Sequence, residues 1–258
     1  MSLPRFYIPP QSWNPDALIL PQDEAKHALS ALRLTPGERL VAFNGQGHEA
    51  TAEIAAVDDK QPTLNTLNST RTDPLPLKLV LGQAIPKGKN MDLIVQKATE
   101  LGAHTILPIL SERTIVQLDP AEAKTKQNKW QRTAIEACKQ SGQNWLPVLA
   151  PPQTLGAALK LFSNQPRTLL LIASLTPGTR HLKEILAEYH DLHGPDRPET
   201  AVILIGPEGD FTPAEYNLAR TSGCQPLSLG PIILRTETAA FHALSILGYE
   251  LFHSPSAQ

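Results

Sequence analysis

The sequence predicts an α/β chain in which a mostly parallel sheet, covered on both faces, follows a smaller β-rich domain. Three observations predict it. From Leu77 onward, short apolar runs alternate with segments whose apolar residues recur at helical spacing, the pattern of a sheet built by crossovers. Before that point several short strand-like runs follow one another closely, which suggests a small barrel. Near the C-terminus two apolar runs, 201–205 and 226–229, each stop at a Gly-Pro turn, Gly206-Pro207-Glu208-Gly209 and Gly230-Pro231. Buried strands that stop at glycine-containing loops expose backbone groups at one sheet edge, where a small ligand can dock.

Composition bounds the class before any motif does. At 258 residues and 41% apolar, the chain can build one large core or two smaller ones. The formal net charge is −2, so no global basic field points to nucleic acid. The imbalance is local: from Lys78 to Lys139 ten Lys/Arg face six Asp/Glu, an excess that a solvated helix face also carries. Two cysteines, Cys138 and Cys224, give neither a disulfide framework nor zinc spacing, and Cys138 falls in a helical pattern as a small buried residue. The eight histidines form no ligand-spaced cluster, so no metal is expected. No signal peptide and no apolar run of membrane-spanning length occurs, which makes a cytoplasmic protein without membrane partners the expectation.

In chain order, residues 5–8 open a strand, and 23–29 form a short helix with Ala25, Ala28, Leu29 and Leu32 at helical spacing. Strands at 39–44 and 48–57 are joined by Gly45-Gln46-Gly47, and 64–69 supplies another. Residues 45–50 match the dinucleotide fingerprint GxGxxA. That motif needs a helix after it, whereas 51–57 begins with the polar-apolar alternation of a return strand. A nucleotide-binding oxidoreductase is disfavoured on this ground. Residues 71–76 read as a linker, giving domains 1–72 and 73–258. Strand 77–85, loop 86–90 and helix 91–101 follow, the helix stopped by Gly102. Next come strand 105–110, helix 124–140, a short strand at 145–149, helix 155–162, strand 168–173, helix 179–189 and a polar loop at 190–200. After strand 201–205, Thr212, Pro213 and Glu215 start a helix as N-cap, first residue and third residue of a capping box, and Gly223 ends it. Arg235 and Glu237 stand at the entrance to the last, apolar helix.

Residues 201–241, with IPKGKNMDLIVQKATELGAHTILPILSERT at 85–114 and WQRTAIEACKQSGQNWLPVL at 130–149, resemble the bacterial 16S ribosomal RNA uridine-N3 methyltransferase family of the SPOUT class. The likeness extends over nearly the whole chain, and the combination GPEG…LGPxxLRTETA carries its specificity. His27, Leu32-Arg33 and Phe43-Asn44-Gly45 are similar to the family's PUA-like RNA-binding barrel. One position departs: the family usually has a second glycine after GPEG, and here it is Asp210. The resemblance implies a SPOUT-type α/β domain with a trefoil knot spanning about residues 201–240. It also implies S-adenosylmethionine as cofactor, a uridine N3 in 16S ribosomal RNA of the small subunit as substrate, and a homodimer with the site near the subunit interface.

Under that resemblance the residues can be given tasks. A methyl donor with an adenine ring needs backbone amides and an apolar slot. Ile205, Gly206, Pro207, Glu208 and Gly209 of the first turn, and Leu229, Gly230, Ile233 and Leu234 of the second, are the expected cofactor contacts. Thr238 and Ala239, at a helix start, offer N–H groups to the polar parts of the ligand. Uracil N3 carries a proton at neutral pH and must lose it to attack a sulfonium methyl. Arg235 suits stabilisation of the imide anion, being permanently charged and planar. Glu237 or Glu208 is the candidate base, although each also fits a plain turn or cap role. RNA phosphates need cations, and Lys87, Lys89, Arg113, Arg132 and Lys139, with Arg5, His27 and Arg33 on the barrel, form the expected footprint. A non-catalytic RNA-binding factor on the same fold is the second reading. The intact LRTET string speaks against it and Asp210 for it.

Overall fold

Alternating burial along the third strand seats the first sheet. Ala50, Ala52 and Ile54 are buried while Thr51 and Glu53 are partly exposed, the period of a half-buried strand. The computed structural model describes residues 3–114, 118–194 and 196–252. Its first sheet comprises β1 (Arg5–Tyr7), β2 (Arg39–Phe43), β3 (His48–Asp58) and β4 (Gln61–Arg71), paired in the order β1-β2-β3-β4. β1 lies parallel to β2, and the other pairs are antiparallel. Phe43 faces Glu49 across β2 and β3, so Gly45-Gln46-Gly47 is a hairpin connection, as expected, and no helix follows it. The Asn44 side-chain oxygen fixes this turn by accepting the N–H groups of Gln46 (2.8 Å) and His48 (3.2 Å). A two-residue turn, Asp59-Lys60, with both φ angles positive (44° and 63°), closes β3 onto β4. Helix α1 (Gln22–Lys26) runs on into a wide turn, His27–Ala31, and buries Ala25 and Ala28 against Phe6, Ile8, Leu40 and Ile54.

The chain divides into two compact units. One holds residues up to Pro74 together with Ile135–Leu146, and the other holds Leu75–Ala134 and the residues from Pro147 onward. The expected boundary lies at 72/73, and hydrogen bonds also place 144–146 with the first sheet. Gly47 N–H donates to the Asn144 carbonyl (3.0 Å), Leu146 N–H to the Gly45 carbonyl (3.0 Å), and the Trp145 indole N–H to the Thr72 carbonyl (3.0 Å). Gly47 is required here, because a Cβ on it would lie 2.6 Å from that Thr72 oxygen. The expected strand over 145–149 therefore splits: Trp145 makes only an isolated bridge to Gln46, and the strand proper is Val148–Leu149 in the other unit.

The second unit is built on a wholly parallel sheet. Its strands are β5 (Lys78–Ala84), β6 (Thr105–Leu110), β7 (Val148–Leu149), β8 (Gln153–Thr154), β9 (Thr168–Ala173), β10 (Thr200–Ile205) and β11 (Gln225–Leu227). They run in the order β11-β9-β10-β5-β6-β7, with β8 also paired to β6. The central strands are near-continuous Val, Leu and Ile because helices cover both faces. On one face α4 (Leu155–Lys160) and α6 (Pro213–Thr221) close over Val80, Leu107, Leu170, Ile172, Val202 and Leu204. The last helix, α7 (Thr236–Leu251), packs on β5, β10 and α2 (Asn90–Glu100). Helix α3 (Pro120–Ser141) is longer than the expected 124–140. Helix α5 (Leu182–His193) starts later than expected and runs past Tyr189, so the loop read at 190–200 begins only at Gly194; its residue 195 lies outside the described residues. The capping box at α6 is formed as expected: the Thr212 hydroxyl accepts the Glu215 N–H (3.2 Å) and the Glu215 carboxylate accepts the Thr212 N–H (2.9 Å). Both cysteines are buried, and burial pushes each thiol up to about 12. Among the described residues no helix is long and apolar enough to cross a membrane.

Candidate active site

The neighbouring parallel strands β11, β9 and β10 end on one side of the sheet, and the three connections that follow them meet there. After β9 comes Ser174-Leu175, after β10 the turn 206–210, and after β11 the segment 228–235 that leads into α7. Between them lies a cleft of about 470 Å³, of the size that holds a small-molecule ligand. Ile205, Gly206, Pro207, Glu208 and Asp210 form one wall. Leu229, Gly230, Ile232, Ile233 and Leu234 form another, with Arg235, Thr236, Glu237 and Ala239 at the start of α7. Of the residues expected to contact a cofactor, Gly209 and Thr238 are the two that do not line the cleft. Gly230 adopts φ 109°, a conformation that favours glycine.

Hydrogen bonds hold these connections to the sheet. Gln83, fully buried at the end of β5, donates its amide N–H to the Thr236 hydroxyl (3.0 Å), which donates to the Gly206 carbonyl (2.7 Å). That relay joins β5, the β10 turn and the first residue of α7. Glu208 accepts the Lys87 backbone N–H (2.9 Å), tying the loop before α2 to the cleft turn. Arg113 donates to the Gly209 carbonyl (2.6 Å), and buried Glu215 accepts the Glu112 N–H (3.0 Å). Two expected RNA contacts, Lys87 and Arg113, are thereby joined to the turn that follows β10. Sequence reasoning missed Gln83 and Thr236. The signal for Gln83 was a lone amide among the buried residues of β5, which burial obliges to find a partner.

Two chemistry-bearing residues are left unengaged. Arg235 is the N-cap of α7 and is exposed, and Glu237 lies in the first turn; among the described residues neither side chain has a polar partner. No side chain caps α7, and of its first-turn residues Thr236 and Glu237 line the cleft. Ala239 is not a free donor, contrary to expectation, because its N–H is already given to the Arg235 carbonyl (2.8 Å).

The expected RNA footprint needs a larger correction. Arg5 is mostly buried: it pairs with Glu49 (2.6 Å), donates to the Asn144 side-chain oxygen (2.5 Å) and lies 4.9 Å over the Phe43 ring. Lys139 is likewise engaged, with Glu24 at 2.5 Å and Glu136 at 2.8 Å. Burial opposes the Lys139 charge, but the bonds to Glu136 and Glu24 outweigh it and raise its pKa. Both cations are internal struts of the first unit. His27, Arg33, Lys87, Lys89, Arg113 and Arg132 are exposed. His27 presents its ring edge-on to Phe6 at 6.1 Å between centroids. Among the described residues no group of three or more His, Cys, Asp or Glu side chains is arranged to hold a metal ion.

Comparison with known proteins follows the same division. The RNA methyltransferase domain family matches residues 73–248, and the RNA methyltransferase PUA domain family matches residues 20–67. Ribosomal RNA small subunit methyltransferase E of Bacillus subtilis is 30% identical over 229 residues, 88% of either chain. Its namesake in Synechocystis is 34% identical, covering 93% of this chain and 76% of that one. Among solved structures, a Legionella pneumophila protein described as a methyltransferase, with S-adenosylmethionine bound, superposes with a TM-score of 0.85 at 34% identity, covering 97% of this chain and 98% of that one. The small subunit methyltransferase E of Neisseria gonorrhoeae, also bound to S-adenosylmethionine, gives 0.82 at 32% identity, covering 96% and 98%. The α/β fold is of the SPOUT type, with a PUA-like N-terminal domain.

Proposed function

We propose, because the chain belongs to the RNA methyltransferase family, that it transfers a methyl group from S-adenosylmethionine to N3 of a specific uridine in small-subunit ribosomal RNA. The observation that carries the assignment is the pairing of a small-molecule cleft with an unengaged guanidinium and carboxylate on its wall. The residues fit the cofactor: glycine backbone at positions 206 and 230 allows close approach, and Leu229, Ile233 and Leu234 offer an apolar slot for an adenine ring. S-adenosylmethionine, when bound, supplies a methyl group activated by its sulfonium.

The chain's own residues have the remaining work. The Arg235 guanidinium binds a uracil carbonyl oxygen and stabilises the negative charge that spreads over the imide as the N3 proton leaves. The Glu237 carboxylate, two residues on, accepts that proton. Glu208 is less suited to this role, because its Oε1 already accepts the Lys87 N–H. Lys87, Lys89, Arg113 and Arg132, with His27 and Arg33 on the PUA-like unit, supply the RNA footprint. The active form is a homodimer and works in the cytoplasm, where its ribosomal substrate is. Arg235→Ala tests the assignment. Calorimetry with S-adenosylmethionine is expected to show binding retained, while methyl transfer falls about a hundredfold or more, the usual cost of removing one charge-stabilising group. Near-normal turnover contradicts it.

A further inference from the structure

Asp210 occupies a position built for another kind of residue. Its φ of 61° lies in the left-handed region, where side chains are disfavoured and glycine is at ease. The carboxylate compensates locally: Oδ1 accepts the Phe211 N–H at 2.8 Å. Room for it comes from Gly206, where a Cβ would stand 3.1 Å from that same oxygen. The contact that reaches furthest is with Tyr216 on α6. The Tyr216 hydroxyl lies 2.7 Å from Asp210 Oδ1 and 3.3 Å from the carbonyl oxygen of Ala173, the last residue of β9. A hydroxyl has one proton to give, and the nearer, charged acceptor takes it, so the tie to the end of β9 is the bond between the phenol oxygen and the hydroxyl of Ser174, the first residue after that strand. Tyr216 itself does not line the cleft, but Ala173, Ser174, Leu175 and Asp210 do. Its ring packs edge-on with Phe211, centroids 5.9 Å apart.

We propose that Tyr216 and Asp210 form a clasp that holds the connection after β10 against the end of β9, making Tyr216 a positioning residue for cofactor binding. The proposal rests on the reading of the cleft as the S-adenosylmethionine site. The clasp sets the spacing of two cleft walls that come from non-adjacent parts of the sequence, and it turns a left-handed aspartate into an anchoring group. Burial and then the Asp210 carboxylate push the Tyr216 pKa up, with the Ser174 hydroxyl working the other way. The phenol therefore keeps its proton at neutral and mildly alkaline pH, and the clasp is closed throughout that range.

The test is a double-mutant cycle on S-adenosylmethionine affinity, measured by calorimetry on the full chain, with melting temperature recorded for every variant. Tyr216→Phe removes only the hydroxyl and is expected to weaken binding about tenfold, the scale of one hydrogen bond to a charged group. Turnover at saturating cofactor is retained, so the loss falls on KM. Asp210→Gly removes the acceptor, frees the backbone from its disfavoured conformation and weakens binding to a similar degree without lowering the melting temperature. Asp210→Asn keeps a neutral acceptor and loses less. The double variant Tyr216→Phe/Asp210→Gly binds no worse than either single variant. Unchanged affinity in the single variants, or losses that multiply in the double, overturns the clasp. A wild-type chain that binds no S-adenosylmethionine at all overturns the reading of the cleft and the clasp with it, and is told apart because the failure precedes any substitution.

Discussion

At the scale of single residues, side-chain partners decide what a charge can do. Arg235 and Arg5 are the same residue type, yet one stands unengaged on a cleft wall and the other is mostly buried between Glu49, Asn144 and Phe43. Local sequence displayed the first, because LRTET follows a glycine turn and precedes a helix. It could not display the second, since Asn144 lies 139 positions from Arg5. The pairing of Lys139 with Glu24 was hidden in the same way, the two being remote in sequence. The departure at Asp210 has a backbone explanation: a positive φ accounts for glycine being usual at that position in the family the sequence resembles, and aspartate is among the side chains that tolerate it. Lys87 and Lys89, both exposed, flank Gly88 at φ 68° in the loop before α2. Replacing both lysines by alanine is expected to weaken RNA binding and to flatten its salt dependence by about two phosphate contacts, with cofactor affinity unchanged. Filter binding over a salt series checks this, and an equal loss of cofactor binding points to misfolding instead.

Elements with strong local signals were legible and those shaped by distant pairing were not. The α6 start is written in Thr212, Pro213 and Glu215, and its capping box forms as those residue types demand. Strands 105–110 and 168–173 match residue for residue, because parallel strands buried on both faces are plain apolar runs. The segment at 145–149 failed as one strand because Trp145 and Leu146 are drawn to the 45–47 turn by bonds no local pattern records. Helix α7 carries the element-scale prediction. Thr238, His242, Ser245 and Tyr249 form an exposed stripe at helical spacing, and Tyr249, Ile232 and Ile233 are 78%, 73% and 78% exposed. Large apolar side chains left this open fit a surface covered by a second copy of the chain. Light scattering is expected to give the mass of two chains, and Tyr249→Asp to shift it toward one. A wild-type protein with the mass of a single 28.1 kDa chain rules out the homodimer.

For the molecule as a whole, alternation of apolar runs and amphipathic segments was enough to foresee a parallel sheet covered by helices. The strand order β11-β9-β10-β5-β6-β7 was not foreseeable from periodicity, since it depends on which strands meet and not on what each contains. That order brings the ends of β9 and β10 and the start of α7 to one cleft, which draws its lining from within the segments 173–175, 205–210 and 229–239. The grouping of Ile135–Leu146 with the first unit was also invisible, because it rests on hydrogen bonds to Gly45, Gly47 and Thr72. The cleft is proposed to methylate N3 of one uridine in small-subunit ribosomal RNA. Mass mapping of modified uridines in that RNA, from cells lacking the protein, tests it most directly. One 3-methyluridine is expected to disappear and to return with the wild-type chain but not with Arg235→Ala; 3-methyluridine unchanged in the deleted cells would contradict the assignment.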